Sequence, residues 1–323
     1  MKRIIGFLMA LAFLAVAPGS LLSADQIVLK LGHSTAPGGM LDKRAQKFAE
    51  LASAKTNGKV KIEIYPAGQL GHIKEILQGV SFGTIDMAQE SEQFMDAFEK
   101  DYTIITTAFL FSRSELQNLQ LIDELRERVR KKAGIRTLSG LAFRPAFHLW
   151  TQKRPVTTPD QLKGMKIRVW QSKGVVDVWN GLGAAATVIP WQETYLALAQ
   201  KVVDGMVHNI VQIRDEKFFE QLDFCIRLNA AELFDATWIN ENKFSSLPPD
   251  VQKALNEASK ESADWLTNFG SGLEGEAVKQ IQGKITFIDG DRAIWVKKAS
   301  EVAKKLEDGG LWSKGLLEKI GKK

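Results

Sequence analysis

The sequence predicts an α/β protein made of two lobes with a cleft between them. Strand and helix patterns alternate twice along the chain, from Ile27 to Met87 and again from Lys166 to Ile210, and this alternation is typical of open, mostly parallel sheets. A length of 323 residues suits two domains of ordinary size. A third pattern, from Pro249 to about Gly283, predicts a helix long enough to brace both lobes.

The first alternating run predicts three strands and two helices. Apolar residues at 27, 29 and 31 form the first strand, and Pro37-Gly38-Gly39 opens a helix that Asn57-Gly58 ends. The remaining predicted elements are a strand over 60–64, a short helix around 73–77 and a strand over Thr84–Met87.

The second run begins with a capped helix. Thr158 precedes Pro159 and stands three residues before Gln161, which is the spacing of a capping box. The elements predicted after it are a strand over Lys166–Trp170, a helix over Ser172–Gly181, a strand over Thr187–Ile189, a helix over Gln192–Val203 and a strand over Met206–Ile210.

The stretch from Pro249 to about Gly283 has helical periodicity and no proline after its first residue. Read as one helix of about 34 residues, it is about 50 Å long, more than a single lobe needs. The alternative is two helices broken near Gly270-Ser271-Gly272. A strand over 285–287 and an amphipathic helix over 292–306 follow.

Composition excludes several classes of protein. Apolar residues make up 45% and charged residues 25%, which excludes a disordered chain, collagen and a multi-span membrane protein. The single cysteine, Cys225, excludes an internal disulfide. The formal charge of +5 falls to +3 without Lys2 and Arg3, and both signs are mixed along the chain, so we expect no nucleic-acid partner.

The first 24 residues are typical of a secretory signal peptide. Lys2-Arg3 precedes an apolar run over 4–17, and Ser23-Ala24 supplies small residues for cleavage before Asp25. The run is short for a membrane span, although an N-terminal anchor is the alternative. We therefore expect an exported, soluble mature protein.

Motifs for catalysis and cofactors are weak or absent. The Gly-x-Gly-x-x-Gly sequence over 270–275 follows a helix rather than a strand, so it does not predict dinucleotide binding. The four histidines are dispersed, and no phosphate loop or nucleophile elbow occurs. We therefore predict no enzyme activity, no cofactor and no metal.

The predicted cleft contains a candidate anion site. In open α/β sheets, ligands bind beyond the carboxyl ends of the strands, which indicates the loops near His33, Glu90, Trp170, Trp191 and His208.

Two arginines could meet an anion in that cleft. Alternation along 165–170 places Arg168 and Trp170 on one strand face, where a guanidinium beside an indole suits a carboxylate. Arg144 is a second arginine in an apolar stretch. The alternative for either is a structural salt bridge.

With these segments identified, the chain resembles the solute-binding proteins (DctP family) of tripartite ATP-independent periplasmic (TRAP) transporters over essentially its whole mature length. The order and spacing of several stretches carry the resemblance: 56–60 with 65–71, 83–87, 109–111, 155–169 (PVTTPDQLKGMKIRV), 183–184, 193–198 and 202–205.

The resemblance implies a two-lobed periplasmic binding protein fold with a hinge. It implies a receptor that closes on a small organic acid and delivers it to the membrane subunits of the transporter. We expect a periplasmic monomer. Residues 25–141 and 234–272 form the first predicted lobe, and residues 142–233 and 273–323 form the second.

The resemblance also implies roles for particular residues. Arg168 pairs with the substrate carboxylate, Arg144 assists and Trp191 walls the pocket. Many members have asparagine where this chain has His208, with Asn209 next, and Trp170 stands where a small residue or proline is common. These departures leave open which chemical group the ligand carries at the end away from its carboxylate, but they do not affect the predicted fold. Three alternatives stay open: a receptor for an ATP-driven transporter, an exported enzyme and a scaffold for another protein.

Overall fold

A computed structural model describes residues 26–321 of the chain. The predicted signal peptide over 1–24 lies outside the described residues. Within the described range, no helix is both long and apolar enough to cross a membrane.

Twelve strands of the described chain form two six-stranded sheets. In chain order they are β1 (Ile27–Gly32), β2 (Val60–Tyr65), β3 (Met87–Ser91), β4 (Ile135–Thr137), β5 (Ala142–Phe143), β6 (Phe147–Thr151), β7 (Lys166–Val169), β8 (Ala185–Val188), β9 (Gly205–Asn209), β10 (Phe224–Ala231), β11 (Phe234–Asn240) and β12 (Thr286–Asp289). The first sheet has the order β2-β1-β3-β11-β4, with β5 also paired to β11. The second has the order β12-β10-β6-β9-β7-β8.

Eleven α-helices in the described range accompany the sheets. They are α1 (Met40–Lys55), α2 (Ile73–Phe82), α3 (Arg113–Gln117), α4 (Gln120–Ala133), α5 (Lys173–Leu182), α6 (Thr194–Ala199), α7 (Ile210–Asp215), α8 (Glu241–Ser246), α9 (Pro249–Ile281), α10 (Arg292–Asp308) and α11 (Leu316–Lys319). Short 3-10 helices cover Glu92–Ala97, Lys100–Ile104, Pro159–Leu162, Trp191–Glu193 and Phe218–Gln221.

The two-lobed α/β architecture is confirmed, but the sheets are mixed rather than mostly parallel. Parallel pairing joins β1 to β2 and β3, β7 to β8 and β9, and β10 to β12. Five further pairings among the described strands are antiparallel, and all of them involve β6 or β11. β6 and β11 each enter a sheet after the chain has crossed from the other one; β12 does so as well, but it pairs in parallel with β10.

The predicted long helix is one continuous element. Its 33 residues correspond to a length of about 50 Å. It packs on both α1 and α7, so it contacts helices of both sheets. The Gly-x-Gly-x-x-Gly stretch lies inside this helix, away from any strand-to-helix turn, as the sequence indicated.

Two predicted boundaries were wrong. The strand placed at Thr84–Met87 begins only at Met87, because Gly83 is left-handed (φ 79°) and the N–H of Thr84 still bonds to the preceding helix. The helix placed at 192–203 ends at Ala199, because Lys201 is left-handed (φ 58°) and the N–H of Val202 turns back to Ala197.

The chain crosses between the sheets near the site described next. It leaves the first sheet after β5 and enters the second at β6, so that Arg144 lies on the crossing segment. It returns between β10 and β11.

Candidate functional site

A cavity of about 450 Å³ lies between the two sheets. Its walls come from the carboxyl ends of β3, β7, β8 and β9, from the start of α2 and from the 3-10 helix over Trp191–Glu193, as expected for an open α/β sheet. Six of the eight predicted site residues line it: Glu90, Arg144, Arg168, Trp170, Trp191 and His208.

Arg168 is the buried cation of this cavity that has no protein anion beside it. It is only 2% exposed, and its Nε donates to the carbonyl of Ile189 at 3.1 Å. Burial lowers the pKa of its guanidinium to about 9, and no described carboxylate offsets that burial. The site therefore holds an uncompensated positive charge, which an anionic ligand would neutralise.

Arg144 lines the same cavity, but its charge is already neutralised. Its Nη2 lies 2.6 Å from Glu90 and 2.6 Å from Asp235, and its Nη1 donates to Gln212 at 3.2 Å. Burial alone would lower the pKa of Arg144, but Asp235 and Glu90 hold it above its usual value. This geometry is the structural salt bridge that the sequence left open for Arg144. Among the described residues that line the cavity, it leaves Arg168 as the buried cation without a carboxylate partner.

His208 lies between two aromatic rings in the cavity wall. Its ring centroid is 4.6 Å from that of Phe147 and 4.6 Å from that of Trp191. Burial, together with the charges of Arg144 and Arg168, holds its pKa well below the usual value. His208 is therefore neutral at pH 7 and adds no charge to the site.

Trp191 and Trp170 give the cavity its aromatic surface. The ring of Trp191 lies 5.4 Å from the Arg168 guanidinium carbon, in the range of a cation–π contact, and its Nε1 donates to Glu216 at 3.2 Å. Trp170 packs edge-on against Phe147 at 6.2 Å, and its Nε1 has no hydrogen-bond partner in the described protein.

His33 and Asn209 are not among the residues that line the cavity. The His33 Nε2 lies 3.3 Å from Asp42, and the side chain is fully buried. Asn209 caps α7, because its Oδ1 accepts the backbone N–H of Gln212 at 3.0 Å. Both side chains therefore serve local structure beside the site.

Several lining residues were missed by sequence reasoning. They include Ser34, Lys74, Phe94, Gln93, Phe147, Gln171, Gln192 and Gln212. Asp235 was also missed, although a carboxylate inside the apolar stretch Leu233-Phe234-Asp235-Ala236 was a usable signal, because such a residue needs a buried partner.

The polar groups of the cavity suit an organic anion. Amides from several glutamines can donate to and accept from hydroxyl groups, and the aromatic rings can cover the apolar faces of a ligand. Lys74 and Glu75 add one charge of each sign from the first turn of α2. Among the described residues, no cluster of His, Cys, Asp or Glu is placed to hold a metal ion.

Comparison with known families gives a match over most of the chain. The family described as "bacterial extracellular solute-binding protein, family 7" (DctP) matches residues 31–308.

Individual proteins are similar over nearly their full lengths. A C4-dicarboxylate-binding periplasmic protein, DctP of Rhodobacter capsulatus, is 30% identical over 87% of this chain and 85% of its own. The 2,3-diketo-L-gulonate-binding periplasmic protein YiaO of Escherichia coli is 27% identical over 94% and 89%. The crystal structure of a TRAP periplasmic solute-binding protein from Ochrobacterium anthropi with bound L-fuconate superposes with a TM-score of 0.84, at 25% identity, covering 91% and 98% of the two chains.

Proposed function

This chain belongs to the bacterial extracellular solute-binding protein family 7, and from that premise we propose that it is the extracytoplasmic receptor of a TRAP-type secondary transporter. It binds a small organic acid between its two lobes and delivers it to the membrane subunits. The family is one of transport proteins rather than of enzymes, and we propose that this member binds its ligand without converting it.

The observation that carries the proposal is the uncompensated guanidinium of Arg168. A buried cation without an anion is unfavourable in the empty protein, and a ligand carboxylate in the cavity would remove that cost. Because the guanidinium is planar and presents paired N–H groups, it can bind both oxygens of a carboxylate. The adjacent ring of Trp191 would keep water away from this contact.

Arg144 has a different role in the proposal. Since Glu90 and Asp235 already neutralise it, it holds Glu90 in place at the cavity wall rather than supplying a second full charge. The ligand therefore meets one strong cation in Arg168, the weaker influence of Lys74 at the edge of the cavity, and a set of amides.

Binding energy must come from more than the ion pair. A dissociation constant of 1 μM corresponds to about 8 kcal/mol, while a hydrogen bond to a charged group contributes about 1.5–3 kcal/mol. Burial against the aromatic wall and closure of the lobes supply the remainder. The names of the relatives point to the same chemical class, since C4-dicarboxylates, 2,3-diketo-L-gulonate and L-fuconate are all organic acids.

Export and lobe division complete the proposal. A signal peptide cleaved near Ala24 would send the receptor to the periplasm as a monomer. The first lobe comprises residues 25–141 and 234–272 and the second residues 142–233 and 273–323. The pairing of β5 with the first sheet favours moving the first boundary to just after Phe143.

Thermal melts against a panel of organic acids test this function. Residues 25–323 are purified, unfolded and refolded to remove any bound ligand, and melted with acids, sugars and amino acids. A ligand at a hundredfold over its dissociation constant stabilises the protein by about 2.7 kcal/mol, so a shift with one type of acid is expected. No shift in melting temperature with any acid, or a shift with neutral sugars alone, would refute the proposed function.

A further inference from the structure

The charged groups that line the cavity come from both lobes. Arg168, on β7 of the second sheet, has its one hydrogen bond to the carbonyl of Ile189 and no described carboxylate beside it. Glu90, near the end of β3 in the first sheet, lines the same cavity and is buried. An acid that binds Arg168 and reaches across the cleft would therefore meet the wall that contains Glu90.

The first-lobe wall has no spare positive charge for a second carboxylate. Arg144 lies 2.6 Å from Glu90 and 2.6 Å from Asp235, so two carboxylates share one guanidinium. A second ligand carboxylate placed here would be buried near Glu90 without a cation of its own. Since like charges in a closed interface are strongly unfavourable, this wall disfavours an acid that is charged at both ends.

Lys74 is the other cation in the lining of the cavity. It lies in the first turn of α2 and is partly exposed to solvent. The carboxylate of its neighbour Glu75 is held at the same helix end, where it accepts the backbone N–H of His72 at 2.8 Å. Solvent and this carboxylate therefore weaken the effect of Lys74 inside the cavity.

The first-lobe wall instead offers acceptors for hydroxyl groups. Glu90 Oε1 accepts Arg144 Nη2 at 2.6 Å and the backbone N–H of Ser91 at 3.0 Å, while its Oε2 accepts the Ser34 hydroxyl. Because a carboxylate oxygen can accept two donors, Oε2 has room for one more. Gln93 lines the same wall, and its Oε1 is buried without a donor from the described protein. A ligand hydroxyl can donate to these oxygens, whereas an ionised carboxylate can only accept.

We infer that the ligand is a hydroxylated monocarboxylic acid rather than a dicarboxylic acid, with its carboxylate on Arg168 and a hydroxyl group donating to Glu90. This inference rests on the proposed function, because it specifies the acid that the same site binds. Glu90 is then a specificity-determining residue. Its charge, held in place by Arg144, disfavours a second carboxylate and favours a hydroxyl group.

Sugar acids of matched length and stereochemistry test the charge at the far end of the ligand. An aldonic acid has one carboxylate, and the matched aldaric acid replaces its terminal CH₂OH with a second one. The straight-chain fatty acid of the same length keeps one carboxylate and lacks the hydroxyl groups. Calorimetry on the refolded mature chain measures all three series over a range of chain lengths. At least one aldonate should bind, and its matched aldarate and fatty acid should each bind at least about tenfold more weakly.

Glu90→Gln tests the residue itself. The substitution removes the negative charge from the wall, so the affinity for the aldarate relative to the aldonate should rise about tenfold. Glu92→Gln is the matched control, because Glu92 is a buried carboxylate whose Oε1 accepts Arg126 Nε at 2.6 Å, and it is not among the residues that line this cavity. It should leave the relative affinity unchanged, even if it lowers stability.

Several results would overturn the inference. They are an aldarate or a fatty acid that binds as tightly as its matched aldonate, another acid that binds while no aldonate does, and a relative affinity that Glu90→Gln leaves unchanged. The comparison of ligands with the wild-type chain decides the class of acid even if Glu90→Gln does not fold. Absence of binding with every acid would instead refute the proposed function.

Discussion

Replacing Arg168 with methionine should weaken binding of the acid and, in the same protein, stabilise the ligand-free state. Arg168 is buried and has one hydrogen bond, to the carbonyl of Ile189. Methionine fills similar space without the charge. Because a single side chain is expected to have opposite effects on binding and on stability, the variant separates a ligand-binding cation from a structural one.

The two magnitudes follow from the burial of this cation. Its folded pKa of about 9 is below the unfolded value, so the cost of burying the charge is present in full at neutral pH and falls only above pH 9. After the lost packing and hydrogen bond are counted, we expect a gain of about 1–2 kcal/mol in unfolding free energy. Binding of the ligand should weaken by about 2–5 kcal/mol, because its carboxylate is left without a partner.

Calorimetry with the acid found in the melting panel measures the binding loss, and denaturant unfolding of the ligand-free protein measures the stability. Lys166→Met is the matched control, because Lys166 is two residues earlier on β7 but exposed. It should change neither quantity by much. Unchanged affinity in Arg168→Met, or a ligand-free protein destabilised by several kcal/mol, would refute the reasoning.

Three further predictions concern neighbouring groups. Arg144→Met should destabilise the ligand-free protein by about 3–5 kcal/mol, because it leaves two buried carboxylates unpaired; unfolding in urea measures this, and a neutral result would contradict the structural role. Trp191→Ala should weaken binding of the acid by about 1–2 kcal/mol and broaden the range of acids bound. Calorimetry across the panel measures both quantities, and an unaltered selectivity would contradict the role of Trp191. Burial raises the pKa of Asp96 to about 6, although the Ser172 hydroxyl donates to it. Since the protonated form is favoured in the folded state, stability should fall as pH rises from about 4 to 6. Asp96→Asn should remove that slope in melts at several pH values, and an identical slope in the variant would rule out Asp96 as its source.

Periodicity predicted most elements of the fold, and it failed where polar residues occupy a strand. The Gln89-Glu90-Ser91 end of β3 is buried, yet it has no apolar alternation, because its side chains serve the cavity and the ion-pair network. The prediction therefore stopped at Met87. The antiparallel strands β6 and β11 were also missed, although Phe234-Asp235-Ala236-Thr237-Trp238 alternates between apolar and polar residues. Both strands are buried along their whole length, so their polar side chains lie inside the protein rather than in solvent.

The site was predicted in part because loops beyond strand ends can be read from the sequence. Trp191 and His208 were found in this way, and Arg168 was found from alternation along its own strand. The sequence did not show which arginine is neutralised by a carboxylate. Asp235 is 91 residues from Arg144 in the chain, and only the position of β11 in the sheet brings the two together. His33 was named for its place after β1, but its ring turns toward Asp42, a choice of rotamer that a strand pattern does not encode.

The continuity of α9 fixes the number of residues in this part of the chain. It packs on both α1 and α7, and Gly270 lies so close to the crossing segment that an added Cβ would be 3.3 Å from Pro145. Inserting or deleting one residue near Gly270 would rotate everything after it by about 100° and shift it by about 1.5 Å. The apolar face that meets α7 would then point elsewhere. Surface loops of the two lobes can lengthen freely over evolutionary time, whereas this helix tolerates substitution but not a change in length.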